Sequence, residues 1–131
     1  MAELKYPADL KYTKSDEWIR VDGDTAIVGI SDYAQDALND LTFAEFTVTK
    51  GDKVEAGAGV IEVESVKASS EVYTPVAGEI IEVNTPLESD PETINSDPYG
   101  AGWMVKIRIT DASNLANLMD ATAYQEYCES R

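Results

Sequence analysis

Two β-branched runs, Val60-Ile61-Glu62-Val63 and Glu71-Val72-Tyr73-Thr74, flank the string Glu64-Ser65-Val66-Lys67-Ala68, and Pro75 stops the second run. β-Branched side chains favour extended backbone, and a proline cannot continue a central strand. The segment is expected to form a β-hairpin with Lys67 near its apex. A lysine held out at a turn and backed by two strands is what a modifying enzyme needs to find one amine among many. The competing reading is one more solvated surface charge.

The rest of the chain is written in the same short units. Trp18-Ile19-Arg20-Val21 and Thr25-Ala26-Ile27-Val28-Gly29-Ile30 read as strands joined at Asp22-Gly23-Asp24, a strong hairpin signal. Ser31 can cap a short helix over residues 32–39, with Ala34, Ala37, Leu38 and Leu41 at core-facing spacing. Residues 41–49 alternate but change phase, so a bulge near Ala44-Glu45 is expected to bring Leu41, Phe43, Phe46 and Val48 to one side. Lys50-Gly51-Asp52-Lys53 and Ala56-Gly57-Ala58-Gly59 read as turns, and Ala77-Gly78 as the turn into a strand from Glu79 to Val83. Residues 84–102, with Pro86, Pro91, Pro98, Gly100 and Gly102, read as a long loop of functional character. Trp103 to Ile109 is a strand. Residues 111–128 are predicted helical, with Leu115, Leu118 and Met119 as their apolar stripe.

These elements predict a mostly β fold, a β-sandwich or flattened barrel with a short internal helix and a C-terminal helical segment. At 131 residues one domain is expected over 1–131, its core spanning about residues 16–110. Strand-rich stretches of similar length lie on either side of Lys67, a hint of an internal pseudo-repeat.

Charge narrows the function. Ten basic against 25 acidic residues leave a net charge of −15, which repels nucleic acid and anionic membrane surfaces and favours partners with basic docking faces. There is no histidine, so the usual general base and commonest metal ligand are missing, which argues against a hydrolase or zinc enzyme. A single cysteine, Cys128, cannot close an internal disulfide. The opening Met1-Ala2-Glu3-Leu4-Lys5-Tyr6-Pro7 lacks the apolar region of a leader peptide, and no apolar run approaches a membrane span. A cytoplasmic monomer is the expectation.

Lys67 stands among Glu62, Glu64 and Glu71. Nucleophilic lysines are desolvated or sit beside other cations, so imine chemistry is disfavoured, whereas acylation needs only exposure and a recognition surface. A carrier supplies position and leaves the chemistry to its attached group.

Five strings then occur in order. They are Lys11-Tyr12-Thr13-Lys14-Ser15-Asp16-Glu17-Trp18, Gly29-Ile30-Ser31-Asp32-Tyr33-Ala34-Gln35, Glu64-Ser65-Val66-Lys67-Ala68, Pro75-Val76-Ala77-Gly78-Glu79 and Asp97-Pro98-Tyr99-Gly100-Ala101-Gly102-Trp103. Together they resemble the H proteins of the glycine cleavage system, over nearly the whole chain. The resemblance implies a lipoyl-domain-like fold and a non-catalytic carrier with lipoate attached to Lys67. Glu64, Ser65, Val66 and Ala68 would form the motif read by a lipoate ligase or lipoyl transferase. It implies three partners: a pyridoxal-phosphate glycine decarboxylase that loads an aminomethyl group, a tetrahydrofolate-dependent aminomethyltransferase that releases ammonia, and a dihydrolipoyl dehydrogenase. It also matches Glu17 to a carboxylate in a surface cleft where the loaded arm rests. For Glu17 the alternative is a plain surface acid.

The chain departs from the family pattern at four places. Asp16 stands where histidine is usual, Ala37 where some members have histidine, Asn39 where glycine is common, and residues 45–50 replace a Glu-Leu-Pro segment. A biotin carrier is disfavoured because Val66 and Ala68, not methionines, flank Lys67. The lipoyl domain of a 2-oxoacid dehydrogenase is closer, but it normally belongs to a longer chain. An H-like lipoyl carrier or a lipoyl-relay protein serving another lipoate-dependent system is the remaining alternative.

Overall fold

A computed structural model describes residues 4–131; Met1, Ala2 and Glu3, and with them part of the leader-peptide reading, lie outside the described residues. In chain order the strands are β1 (Lys11–Tyr12), β2 (Glu17–Asp22), β3 (Thr25–Ile30), β4 (Leu41–Phe46), β5 (Lys53–Val54), β6 (Gly59–Ser65), β7 (Ser69–Tyr73), β8 (Ala77–Val83) and β9 (Val105–Asp111). Among the described residues three α-helices accompany them: α1 (Asp32–Leu38), α2 (Glu92–Ser96) and α3 (Ala121–Glu129). One sheet runs β1-β2-β3-β9-β8-β5 and the other β4-β6-β7, with antiparallel neighbours. The mostly β, two-sheet expectation is met. Strands from before and after Lys67 share the larger sheet, so the sheets do not divide at the lysine.

Both sheets contribute to one apolar core. Ile19, Val28 and Ile107 come from the larger sheet, and Ala44, Ile61 and Val63 from the smaller. Gly23-Asp24 closes β2 onto β3 as a two-residue turn, with Asp22 opposite Thr25 and Gly23 at φ +64°. Ser31 caps α1 as expected, accepting a hydrogen bond from the Ala34 amide at 3.2 Å. A second cluster, Leu10, Tyr12, Trp18, Tyr124 and Cys128, ties the N-terminal segment to α3. Its Tyr12 and Tyr124 rings stack with centroids 4.6 Å apart.

Several local expectations are corrected. The bulge in β4 falls at Thr42, between the pairs Leu41–Ser65 and Phe43–Glu64. It brings Leu41 and Ala44 inward and leaves Phe43 on the outer face, 42% exposed. α1 ends at Leu38 because Asn39 turns the backbone at φ +67°. Ala34 and Leu38 touch the core, Ala37 is exposed, and Leu41 belongs to the next strand. Ala77 and Gly78 already lie in β8. Residues 84–102 are no open loop: a 3-10 turn (Thr85–Glu88) and α2 bury Leu87 and Ile94. The tail is not one helix either. β9 continues to Asp111, a 3-10 segment follows (Ala112–Asn117), and Met119 is extended, exchanging two 2.8 Å backbone bonds with Tyr12. Asp120 then caps α3. Leu115 and Leu118 pack on the main core and Met119 on the second cluster, so no continuous stripe forms.

Gly78 lies at a close approach of the paired strands β8 and β9, where a Cβ would run into the Arg108 carbonyl and the Ile107 methyl. Gly78→Ala should therefore cost about 1–3 kcal/mol, the usual range for overpacking. Urea unfolding should show a lower midpoint with an unchanged slope.

Candidate functional site

Above a bulge at Val60, between the pairs Gly59–Tyr73 and Ile61–Val72, the lysine hairpin is regular up to its last pair. Glu62 faces Glu71, Val63 faces Ser70 and Glu64 faces Ser69. Beyond them the Ser65 amide donates to the Ala68 carbonyl at 2.7 Å, and the Ala68 amide donates back to the Ser65 hydroxyl at 3.1 Å. Ser65 and Ala68 thus staple the turn. Val66 and Lys67 are left at the apex, Val66 95% exposed. Lys67 is exposed, and among the described residues its amine has no hydrogen-bond or ion-pair partner. Ile61, Val63 and Val72 hold the arms of the hairpin in the core.

A hollow of about 260 Å³ lies at the foot of the turn, lined by Asn39, Asp40, Ser65, Val66 and Lys67. Its floor is fixed from α2. Asn95 donates to the Asn39 carbonyl at 2.8 Å and to the Gln35 side chain at 3.0 Å, and accepts from the Leu41 amide at 2.8 Å. The 84–102 segment therefore supports the site from behind.

Beside the hairpin a cleft of about 140 Å³ separates α1, through Ala37 and Leu38, from β7, through Ser70 and Glu71. Glu17 lines it. Only 2% exposed, Glu17 is a buried acid and not a surface one. The Thr13 and Ser15 hydroxyls each donate to its Oε1 at 2.7 Å, and the Tyr73 amide donates to Oε2 at 3.4 Å. Burial pushes the Glu17 carboxyl above its ordinary pKa, against the opposing pull of these donors. A carboxylate so held can accept a charge-assisted hydrogen bond from a cation entering the cleft.

The structure thus brings Glu64, Ser65, Val66, Lys67 and Ala68 together at the hairpin tip and places Glu17 in the adjoining cleft. Sequence reasoning missed Thr13, Ser15, the Tyr73 amide and Asn95. For Thr13 and Ser15 the every-other-residue spacing to Glu17 was the available signal. Tyr73 and Asn95 meet the site only through long-range packing.

Comparison with known proteins bears on the whole chain. The family model described as "Glycine cleavage H-protein" matches residues 10–131. This chain belongs to the glycine cleavage H-protein family. A glycine cleavage system H protein of Thermus thermophilus is 52% identical over 127 residues, covering 97% of this chain and 98% of its own. That of Aeromonas salmonicida is 50% identical over 120 residues, covering 91% and 92%. The crystal structure of a glycine cleavage system H protein from Mycobacterium marinum superposes with a TM-score of 0.83 at 39% identity, covering 92% of this chain and 97% of that one. The lipoyl-domain-like β-sandwich expected from the sequence is the fold observed. No described helix is long and apolar enough to cross a membrane.

Because the Glu17 pKa is raised on folding, its contribution is fully present below the ordinary glutamate value of about 4.3 and is lost as pH rises through the raised value. Glu17→Gln, which keeps an acceptor for Thr13 and Ser15, should match wild type in acid. It should become the more stable protein towards neutral pH. Urea unfolding of both proteins across that range checks the divergence; a stability difference that does not change with pH would contradict it.

Proposed function

We propose that this chain carries a lipoyl group in amide linkage to Nζ of Lys67. As a glycine cleavage H-protein it is the lipoyl carrier of that system and not itself an enzyme. The observation that supports Lys67 is geometric. It is an exposed, unpaired amine, among the described residues, at the tip of a hairpin whose arms are anchored in the core, and the turn beneath it is closed by Ser65 and Ala68. Nothing described around the amine obstructs an attached chain, so the residues present fit the group. When bound, lipoate supplies a reducible disulfide and a thiol. The protein's own part is to hold the arm's root still and to offer it a lined cleft.

Glu64 on the outer face and Val66 at the apex are the side chains an acylating enzyme would meet first, while Ser65 and Ala68 act by shaping the turn. We assign Glu17 the cation of the aminomethyl cargo, since it is a buried acceptor in a cleft whose other wall is the lysine hairpin itself. The partners that fit this role are a pyridoxal-phosphate glycine decarboxylase, a tetrahydrofolate-dependent aminomethyltransferase, a dihydrolipoyl dehydrogenase and the enzyme that attaches lipoate. We read residues 1–131 as one carrier domain, acting as a cytoplasmic monomer.

Partner docking has a charged component. Glu45, Glu62 and Glu71 stand side by side across β4, β6 and β7, and none is in an ion pair among the described residues. Like charges in register cost stability, and a basic partner face would relieve them.

Incubation with a lipoate ligase should add one lipoyl group, found by peptide mass spectrometry on the Lys67 peptide. Lys67→Arg should fold normally, accept none and support no glycine-dependent turnover. Modification that persists in Lys67→Arg would overturn the assignment. Association with partner enzymes should slow with added salt, chiefly in the on-rate. Stopped-flow mixing at two ionic strengths measures this, and a salt-insensitive on-rate would mean apolar docking.

A further inference from the structure

Asp16, the residue before Glu17, is one of two non-glycine residues with positive φ among the described residues, at +76°. Such backbone persists where its surroundings over-determine it, and here they do. The Asp16 amide donates to the Thr13 carbonyl at 3.1 Å, and its own carbonyl accepts from the Ser31 amide at 2.8 Å. Its carboxylate takes a two-pronged contact from Arg131, Nη1 to Oδ1 at 2.6 Å and Nη2 to Oδ2 at 3.1 Å, and a hydrogen bond from the Tyr124 hydroxyl at 2.8 Å. The Arg131 guanidinium also lies between two rings, 4.5 Å from the centroid of Tyr33 on α1 and 4.7 Å from that of Tyr127 on α3. Tyr127 in turn donates to the Lys14 carbonyl at 3.3 Å. One cation therefore joins the 13–16 turn, α1 and α3.

That turn supplies Thr13 and Ser15, the two hydroxyls on Glu17, and α1 is the far wall of the Glu17 cleft. We infer that Arg131, acting through Asp16, is a positioning residue for Glu17: it locks the turn and the α1 wall so that the cleft presents a fixed carboxylate to the cation on a loaded arm. The inference rests on the cleft role assigned to Glu17 above. It also accounts for an acid at position 16, since a paired guanidinium needs a planar carboxylate opposite it.

The charged groups facing Glu17 are Asp16 beside it, Arg131 behind Asp16, and Glu71 across the cleft on β7; α1 contributes the uncharged Ala34, Ala37 and Leu38. In Arg131→Ala the Asp16 charge is no longer balanced and the donor turn is less firmly held. Both changes raise the Glu17 pKa further, which carboxyl-resolved NMR titration of the unloaded protein reads directly. Release of ammonia from the loaded protein should also quicken, by roughly two- to fivefold for a pair of this exposure. Arg131→Lys keeps the charge but loses the paired donors, so it should fall between wild type and Arg131→Ala in both measurements. It carries the test alone if Arg131→Ala does not fold. An unchanged or lowered Glu17 titration in these variants overturns the inference. Equal ammonia release from wild type and Glu17→Gln would instead overturn the cleft role of Glu17, while the titration would still decide whether Arg131 positions it.

Discussion

Burial of the inner face of the lysine hairpin governs everything the carrier presents to its surroundings. Ile61, Val63 and Val72 are fully or almost fully removed from water, each contributing on the order of 1.5–3 kcal/mol. Strand side chains alternate in direction, so the same burial sends Glu62, Glu64 and Glu71 outward and leaves the turn beyond Ser65 protruding. The exposure of Lys67 follows from this packing. A one-residue slip of β6 would turn the whole set over, and the Ser65–Ala68 bonds at the tip oppose such a slip.

The second apolar cluster serves the cleft in a different way. Tyr124 stacks on Tyr12 and gives its one hydroxyl proton to Asp16. It must then accept from Ser31, 2.6 Å away, while the Ser31 oxygen accepts from the Ala34 amide. The polar chain is complete: among the described residues no buried side-chain polar atom lacks a partner. It links the cap of α1, the turn before Glu17 and α3. The position of the cleft wall is thereby set by residues far apart in sequence.

A carrier must be rigid at the root of its arm and permissive at its tip. The glutamate row over β4, β6 and β7 sets like charges side by side, and the exposed Val66 and Phe43 leave apolar surface in water. Such a surface suits repeated, reversible encounters better than a closed fold. Stability is supplied elsewhere, by the core shared between the sheets.

Local chemistry made the strands, the Gly23-Asp24 turn, the Ser31 cap and the Lys67 hairpin legible in the sequence, because alternation, capping and turn formation depend on residues only a few positions apart. Family resemblance carried by five short strings pointed to Glu17. Where the bulge in β4 falls could not be read, because Leu41, Phe43, Phe46 and Val48 are all apolar and only pairing with β6 decides which of them turns inward. The helical reading of residues 111–128 holds in two pieces and not as one helix for a similar reason: Met119, between them, is drawn into a bridge with Tyr12 that its own neighbours do not require. Burial of Glu17, the pairing of Asp16 with Arg131 and the bonds of Asn95 to Gln35, Asn39 and Leu41 are long-range. Chain order was enough to specify a presented lysine, whose strands and turn are local. The surroundings of Glu17 were fixed by packing, because burial and electrostatic environment belong to neighbours in space that the order of residues does not name.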